Sequence, residues 1–135
     1  MSTATLQEKN MAIVREAFDA VFNKKDETAL ERFWAADYIQ HSARVGGGRE
    51  GLRALVSQLP KTAKHEIALI AAEGDFVMLH GRYSGIGQPK AWIAADIIRM
   101  SEGKLAEHWD VIEDEARVDE SAGGNPMFGD KFSEV

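Results

Sequence analysis

Asp96, His108 and Asp110 are the residues of this chain best placed for proton chemistry. They fall in one stretch, Lys90 to Glu113, which reads as two strands joined at Ser101-Glu102-Gly103. Gly103 suits the left-handed position that closes a three-residue hairpin loop, a conformation most residues resist. That loop sets Met100 opposite Lys104. Counting outward, Ile98 then faces Ala106, Asp96 faces His108 and Ala94 faces Asp110. Side chains alternate across a strand, so Asp96, His108 and Asp110 share one face. Ile93, Ala95, Ile97, Leu105, Trp109 and Val111 take the other. A loop without the Gly103 bulge shifts the pairing by one and moves Asp96 to the opposite face.

Two carboxylates beside a histidine in apolar surroundings titrate apart. Desolvation and repulsion favour the neutral acid, and a protonated imidazole favours the carboxylate. A carboxylate raised in this way takes a proton from carbon next to a carbonyl. Each residue also has a plain structural use: a rim histidine, an aspartate paired with an arginine, an aspartate at a solvated strand end. The gathering of three on one face is what favours a site.

The elements that must hold this hairpin can be read in order. Thr5-Leu6-Gln7-Glu8 fits a capping box, and a helix follows to about Phe22 with a stripe at Ile13, Val14, Ala17, Phe18 and Val21. Asn23-Lys24-Lys25 breaks it, and Asp26 caps a short second helix through Leu30 and Phe33. Asp37 to His41 reads as a brief strand. Gly46-Gly47-Gly48 lacks the Gly-Lys-Ser/Thr of a phosphate loop and reads as a flexible connection. A third helix, Arg49 to Leu59, ends at Pro60. Lys64 to Ala72 and Phe76 to Tyr83 are strands, the second with Phe76, Met78, His80 and Arg82 on one face. From Glu115 onward the chain is acidic and glycine-containing, with Met127-Phe128 as an apolar pair suited to docking.

Helices followed by a run of long strands indicate an α+β fold in one domain, residues 1–135, with 114–135 as a C-terminal tail. The strands are apolar on both faces and no helix remains to cover the second, so a homodimer through the sheet is expected. The formal net charge of −6 argues against nucleic acid as a partner. The absence of cysteine excludes disulfides, thiolate catalysis and cysteine-bound zinc. No apolar run approaches a membrane span, and MSTATLQEKN lacks the regions of a signal peptide, so a cytoplasmic location without membrane contact is expected.

Asp37-Tyr38-Ile39-Gln40-His41, Gly-Arg-Glu-Gly-Leu at 48–52, Asp96-Ile97-Ile98-Arg99 and the run Gly103 to Ile112 resemble SnoaL-like proteins. These are the polyketide cyclase and aldol-condensation branch of the NTF2-like superfamily. The resemblance spans nearly the whole chain. It implies a cone-shaped barrel in which a curved, mostly antiparallel sheet wraps the N-terminal helices around a deep pocket. It also implies dimerisation through the sheet. Asp110 matches the aspartate that serves as acid/base in the cyclases, and His108 matches the pocket histidine two residues before it. Asp96 occupies a position where the cyclases need not carry an acid.

In such a pocket Asp110, His108 and Asp96 would be joined by His41 and His80, on a wall of Phe18, Trp34, Tyr38, Met78 and Trp92. The expected chemistry needs no cofactor: aldol-type cyclisation, isomerisation or dehydration of a small hydrophobic carbonyl compound. Two other functions stay open. One is a metal site built from His41, His80 and His108 with Asp96 or Asp110. The other is a module that binds a small hydrophobic ligand without turning it over.

Overall fold

The structure is a computed structural model and describes residues 4–133. Thr5 caps the first helix as its sequence demands. Its hydroxyl accepts from the Glu8 N–H at 3.1 Å, and the Glu8 carboxylate accepts from the Thr5 N–H at 3.2 Å. Two N–H groups that the helix leaves free are thereby satisfied. Helix α1 spans Leu6–Phe18 and continues as a π-helical turn, Asp19–Asn23. Helix α2 covers Ala29–Phe33, with the Asp26 carboxylate accepting from the Thr28 N–H at 3.1 Å just before it. Strand β1 (Trp34–Gln40) and helix α3 (Gly48–Gln58) follow, then β2 (Lys64–Glu73), β3 (Phe76–Ser84), β4 (Trp92–Ser101) and β5 (Lys104–Asp114).

The five strands form one curved sheet that does not close, in the order β1-β5-β4-β3-β2. Only the β1–β5 pair is parallel. The helices cover the inner face. Val14, Phe18, Val21, Leu30 and Val56 meet Val77, Leu79, Ile98 and Leu105 of the sheet in one core. Hydrophobic burial drives this layer, at about 1.5–3 kcal/mol for each fully buried large apolar side chain.

The central hairpin departs from its expected loop. Ser101 pairs with Lys104, so only Glu102 and Gly103 turn the chain, both at positive φ (51° and 76°). That is the two-residue turn whose twist matches the strands. Continued unbroken, it would set Asp96 opposite Trp109. Instead Met100 pairs with Leu105 and Arg99 with Glu107, so Ala106 is an extra residue in β5. The bulge shifts the pairing by one, and Asp96 faces Asp110 rather than His108. Asp96, His108 and Asp110 still share the inner face. Leu105 does not lie with Trp109 and Val111 as expected: the bulge turns it into the core, where it is 1% exposed.

The outer face carries two apolar rows. Leu69, His80, Ala95 and Val111 lie side by side across β2 to β5, as do Ala71, Met78, Ile97 and Trp109. Val111 is 74% exposed and Leu69 68%. The tail covers one corner of this face. Glu115 accepts from Arg82 at 3.0 and 2.6 Å, the Arg82 guanidinium lies 4.5 Å from the centre of the Phe128 ring, and the Lys131 carbonyl accepts from Arg82 at 3.2 Å. Removing one partner of the Arg82–Glu115 pair would strand the other as a buried unpaired charge, at a cost of about 3–5 kcal/mol. Phe128 thus docks on Arg82 and His80 of β3, away from the helix-covered side, and Met127 Sδ accepts from the Ala116 N–H at 3.2 Å. No helix among the described residues is long and apolar enough to cross a membrane.

Two core features have consequences that a stability measurement reads. A Cβ on Gly51 would overlap the Gly46 carbonyl, because α3 begins in close contact with the loop before it. Gly51→Ala is expected to lower the unfolding free energy in urea by about 1–3 kcal/mol, as overpacking does. Gly47→Ala, whose added Cβ meets nothing within 4 Å, is the control that should not.

The second feature is His65, which is buried among Phe18, Phe22 and Tyr83. Its backbone is tied to the π-helical turn by Asn23, at 2.7 and 3.0 Å, and its Nε2 has no partner. Burial pushes the imidazole down to about 4, against the pull of Asp96. The unfolded chain binds this proton near 6.5 and the folded chain only near 4. Stability is therefore full above pH 6.5 and falls as acid is added toward pH 4, by roughly 3 kcal/mol in all. Urea unfolding at stepped pH should show that loss, and His65→Leu should flatten it.

Candidate active site

The inner face of the sheet and the helices enclose a cavity of about 90 Å³. Trp34, Tyr38 and Gln40 reach it from β1, because alternate residues of that strand point inward. Phe18 and Phe22 come from the first helix, Leu52, Leu55 and Leu59 from and just after α3, and Tyr83 from β3. The central hairpin adds Trp92, Ile98, Leu105, His108, Asp110 and Ile112. The inner wall is apolar apart from one cluster of polar groups, with Arg44 and Lys64 at its exposed margin, the arrangement expected of a small-molecule site.

Asp96 stands behind that wall at 1% exposure. Its Oδ1 lies 2.6 Å from His108 Nε2, and its Oδ2 accepts from the Tyr83 hydroxyl at 3.1 Å. On the other side of the ring, His108 Nδ1 lies 2.6 Å from Gln40 Oε1. The Ser42 N–H donates to the same oxygen at 3.1 Å, which fixes the amide: that atom is an acceptor. His108 Nδ1 must therefore carry a proton and donate it to Gln40. Nε2 and Asp96 share the second short contact, so both ring nitrogens are committed to protein partners.

Gln40 Nε2 donates in turn to the Tyr38 hydroxyl at 2.9 Å. Burial pushes the Tyr38 phenol well above its ordinary range, against hydrogen bonds from Trp34 and Gln40, and Asp96 and Asp110 push the same way. Burial beside Asp96 raises Tyr83 as well. Both phenols stay protonated at any physiological pH. The Tyr38 oxygen accepts from Gln40, which leaves its own O–H free to serve the cavity. Asp110 is half-buried on the cavity wall, and no protein group among the described residues hydrogen-bonds its carboxylate. It faces Asp96 across the strand pair. Asp96, His108 and Asp110 each offer an atom within 4.8 Å of the others.

The expected site residues divide cleanly. Phe18, Trp34, Tyr38, Trp92, His108 and Asp110 line the cavity, with Asp96 directly behind. Met78, His80 and His41 do not. Met78 and His80 share the outer-face parity of β3, where Val77, Leu79 and Gly81 are the buried residues. His80 lies 6.0 Å from the Phe128 ring of the tail. His41 follows β1 on the outer side, stacked on Trp109 with a ring separation of 4.9 Å and bonded to Glu107 at 2.7 Å. The three-histidine metal set consequently does not assemble, since a layer of sheet separates His108 from the other two.

Three contributors went unread in the sequence. Tyr83 sits opposite in parity to the Met78-His80-Arg82 face, which was a signal that it points inward. Gln40 alternates with Tyr38 and Trp34, a second such signal. Arg44, on the loop after β1, carried none.

No curated protein matches the chain. Solved structures share its fold. TsrD from Streptomyces laurentii superposes with a TM-score of 0.66 at 22% identity, over 81% of this chain and 92% of that one. An NTF-2 like protein of unknown function from Burkholderia xenovorans gives 0.67 at 23%, over 82% and 87%. A SnoaL-like protein from a Jannaschia species gives 0.67 at 15%, over 84% and 91%. The family model for SnoaL-like polyketide cyclases matches residues 12–118. The match runs from the first helix through the central hairpin and includes every cavity residue named above, and the chain belongs to the SnoaL-like polyketide cyclase family.

Proposed function

We propose that the chain is a cofactor-independent acid/base enzyme acting on a small hydrophobic carbonyl compound, with Asp110 as the base. The observation that carries this is the contrast between the two polar wall residues. His108 is held at both nitrogens, whereas Asp110 presents an uncommitted carboxylate to an apolar cavity.

In the proposed reaction Asp110 removes a proton from the carbon beside the substrate carbonyl. Electron density moves onto the carbonyl oxygen. The Tyr38 O–H, kept protonated by burial, donates to that oxygen as charge develops. Asp96 and His108 hold the Tyr38–Gln40 chain in register. The resulting enol or enolate can close a ring by attack on a second carbonyl, return its proton elsewhere, or expel a β-leaving group. Cyclisation, isomerisation and dehydration share that first step.

Asp110→Asn keeps the shape of the side chain and removes the proton acceptor. Turnover should fall by about 10²- to 10⁴-fold with substrate affinity largely kept. Normal turnover by this variant would assign the base to another group. The same three residues are near enough together to hold a metal ion, though the Asp96–His108 contact would have to open. Elemental analysis of wild type and variant separates that case, since a metal site would lose its ion with Asp110. A binding module would show neither turnover nor metal.

We also propose that the two apolar rows of the outer face are covered by a second copy of the chain. Both rows run across four strands, and the tail covers only one corner of that face. Val111→Asp would bury an unpaired charge there. Sedimentation should report a dimer for wild type at micromolar concentration and a monomer for the variant. A wild-type monomer would remove this interface.

A further inference from the structure

The charged groups lining the cavity are arranged by depth. Asp110 and His108 sit on the inner wall, with Asp96 behind them. The cations, Arg44 and Lys64, are both exposed, which places them at the opening. An anion buried whole in this cavity would meet the Asp110 carboxylate. An anion left at the opening would meet the two cations instead.

Of the two, Arg44 is the built one. Its guanidinium lies 4.6 Å from the centre of the Trp92 ring, itself a wall residue. No carboxylate among the described residues pairs with it, whereas Lys64 lies 3.9 Å from Glu66. The loop that carries Arg44 is fastened to the site. The Arg44 N–H donates to the buried Ser42 hydroxyl at 3.3 Å, and the Ser42 N–H donates to the Gln40 oxygen that also takes the His108 proton. A cation on an aromatic face keeps its outward donors available for a planar anion such as a carboxylate.

The size of the cavity limits what lies beyond that anion. An apolar cavity of about 150 Å³ holds benzene, and this one is about 90 Å³. A short chain fits that volume, while a ring or a fused polycycle needs more.

From these observations we infer that the substrate is a small keto acid, with a short chain inside and a carboxylate at the opening held by Arg44. This deepens the proposed reaction and rests on the same cavity, but its test reads binding and needs no turnover. The probes are 4-oxopentanoate and its methyl ester, alike in shape and different in charge. Binding is followed by calorimetry at low salt. The acid should bind wild type more tightly than the ester, and Arg44→Gln should weaken the acid by about tenfold while leaving the ester unchanged. Arg44→Lys should restore part of the preference, and added salt should reduce it. Equal affinity for acid and ester, an unchanged ratio in Arg44→Gln, or no binding of either probe would each overturn the assignment. Selective binding by Arg44 together with normal turnover in Asp110→Asn would leave this inference standing and remove only the proposed base.

Discussion

Between Leu105 and Glu107 strand β5 carries one residue more than its partner, and the polar cluster depends on where that residue falls. A two-residue turn at Glu102-Gly103 fixes the pairing at the tip. Asp96 alternates with Ile98 and Met100 and lies inside whatever β5 does. Without the bulge, the pairing would bring Trp109 opposite it and turn His108 and Asp110 to the uncovered outer face. One extra residue in β5 brings His108 and Asp110 to the side where Asp96 and Tyr83 are. Burying a charge is costly unless its hydrogen bonds are made, and Asp96 has them from His108 and Tyr83.

From Asp96 the constraint travels outward as a chain of hydrogen bonds. Asp96 holds His108, His108 holds Gln40, Gln40 holds Tyr38, and Ser42 fixes Gln40 from the loop side. Apart from the Gln40–Tyr38 bond within β1, the links join different elements, so β4, β5, β1 and the loop before α3 are locked to one another around the cavity. Asp110 stands beside this chain without belonging to it. A residue bound into such a network is rigid and slow to exchange protons, and one outside it is free to act on a ligand. That division of labour explains why a cluster of two aspartates and a histidine has one candidate base.

Much of this was legible in the sequence. The capping box at Thr5, the breaks at Asn23 and Pro60, and the alternation of β3 and β4 all express local rules that the fold obeys. The shared face of Asp96, His108 and Asp110 was also reached, but through a three-residue loop the chain does not use. Two departures, a shorter turn and a bulge, cancel in their effect on the face and differ in which residue opposes which. His41 and His80 were misplaced for a different reason. Aromatic and ionisable residues suit a pocket by type, but strand parity sends these two to the outer side. His65 was missed because a lone histidine in an alternating strand gives no sign of the aromatic cluster that closes over it. The π-helical turn that anchors it has no marker in the sequence beyond Asn23.

The central claim is that His108 is a held residue and Asp110 the acting one. Nitrogen-15 NMR of the His108 ring at neutral pH tests it most directly. The account predicts a proton on Nδ1, bonded to Gln40, and a slowly exchanging hydrogen-bonded proton between Nε2 and Asp96. Gln40→Leu should shift the first signal and leave the second in place. A ring with a bare Nδ1, or with both sites exchanging freely with water, would contradict the account and return His108 to the list of groups able to act on the substrate.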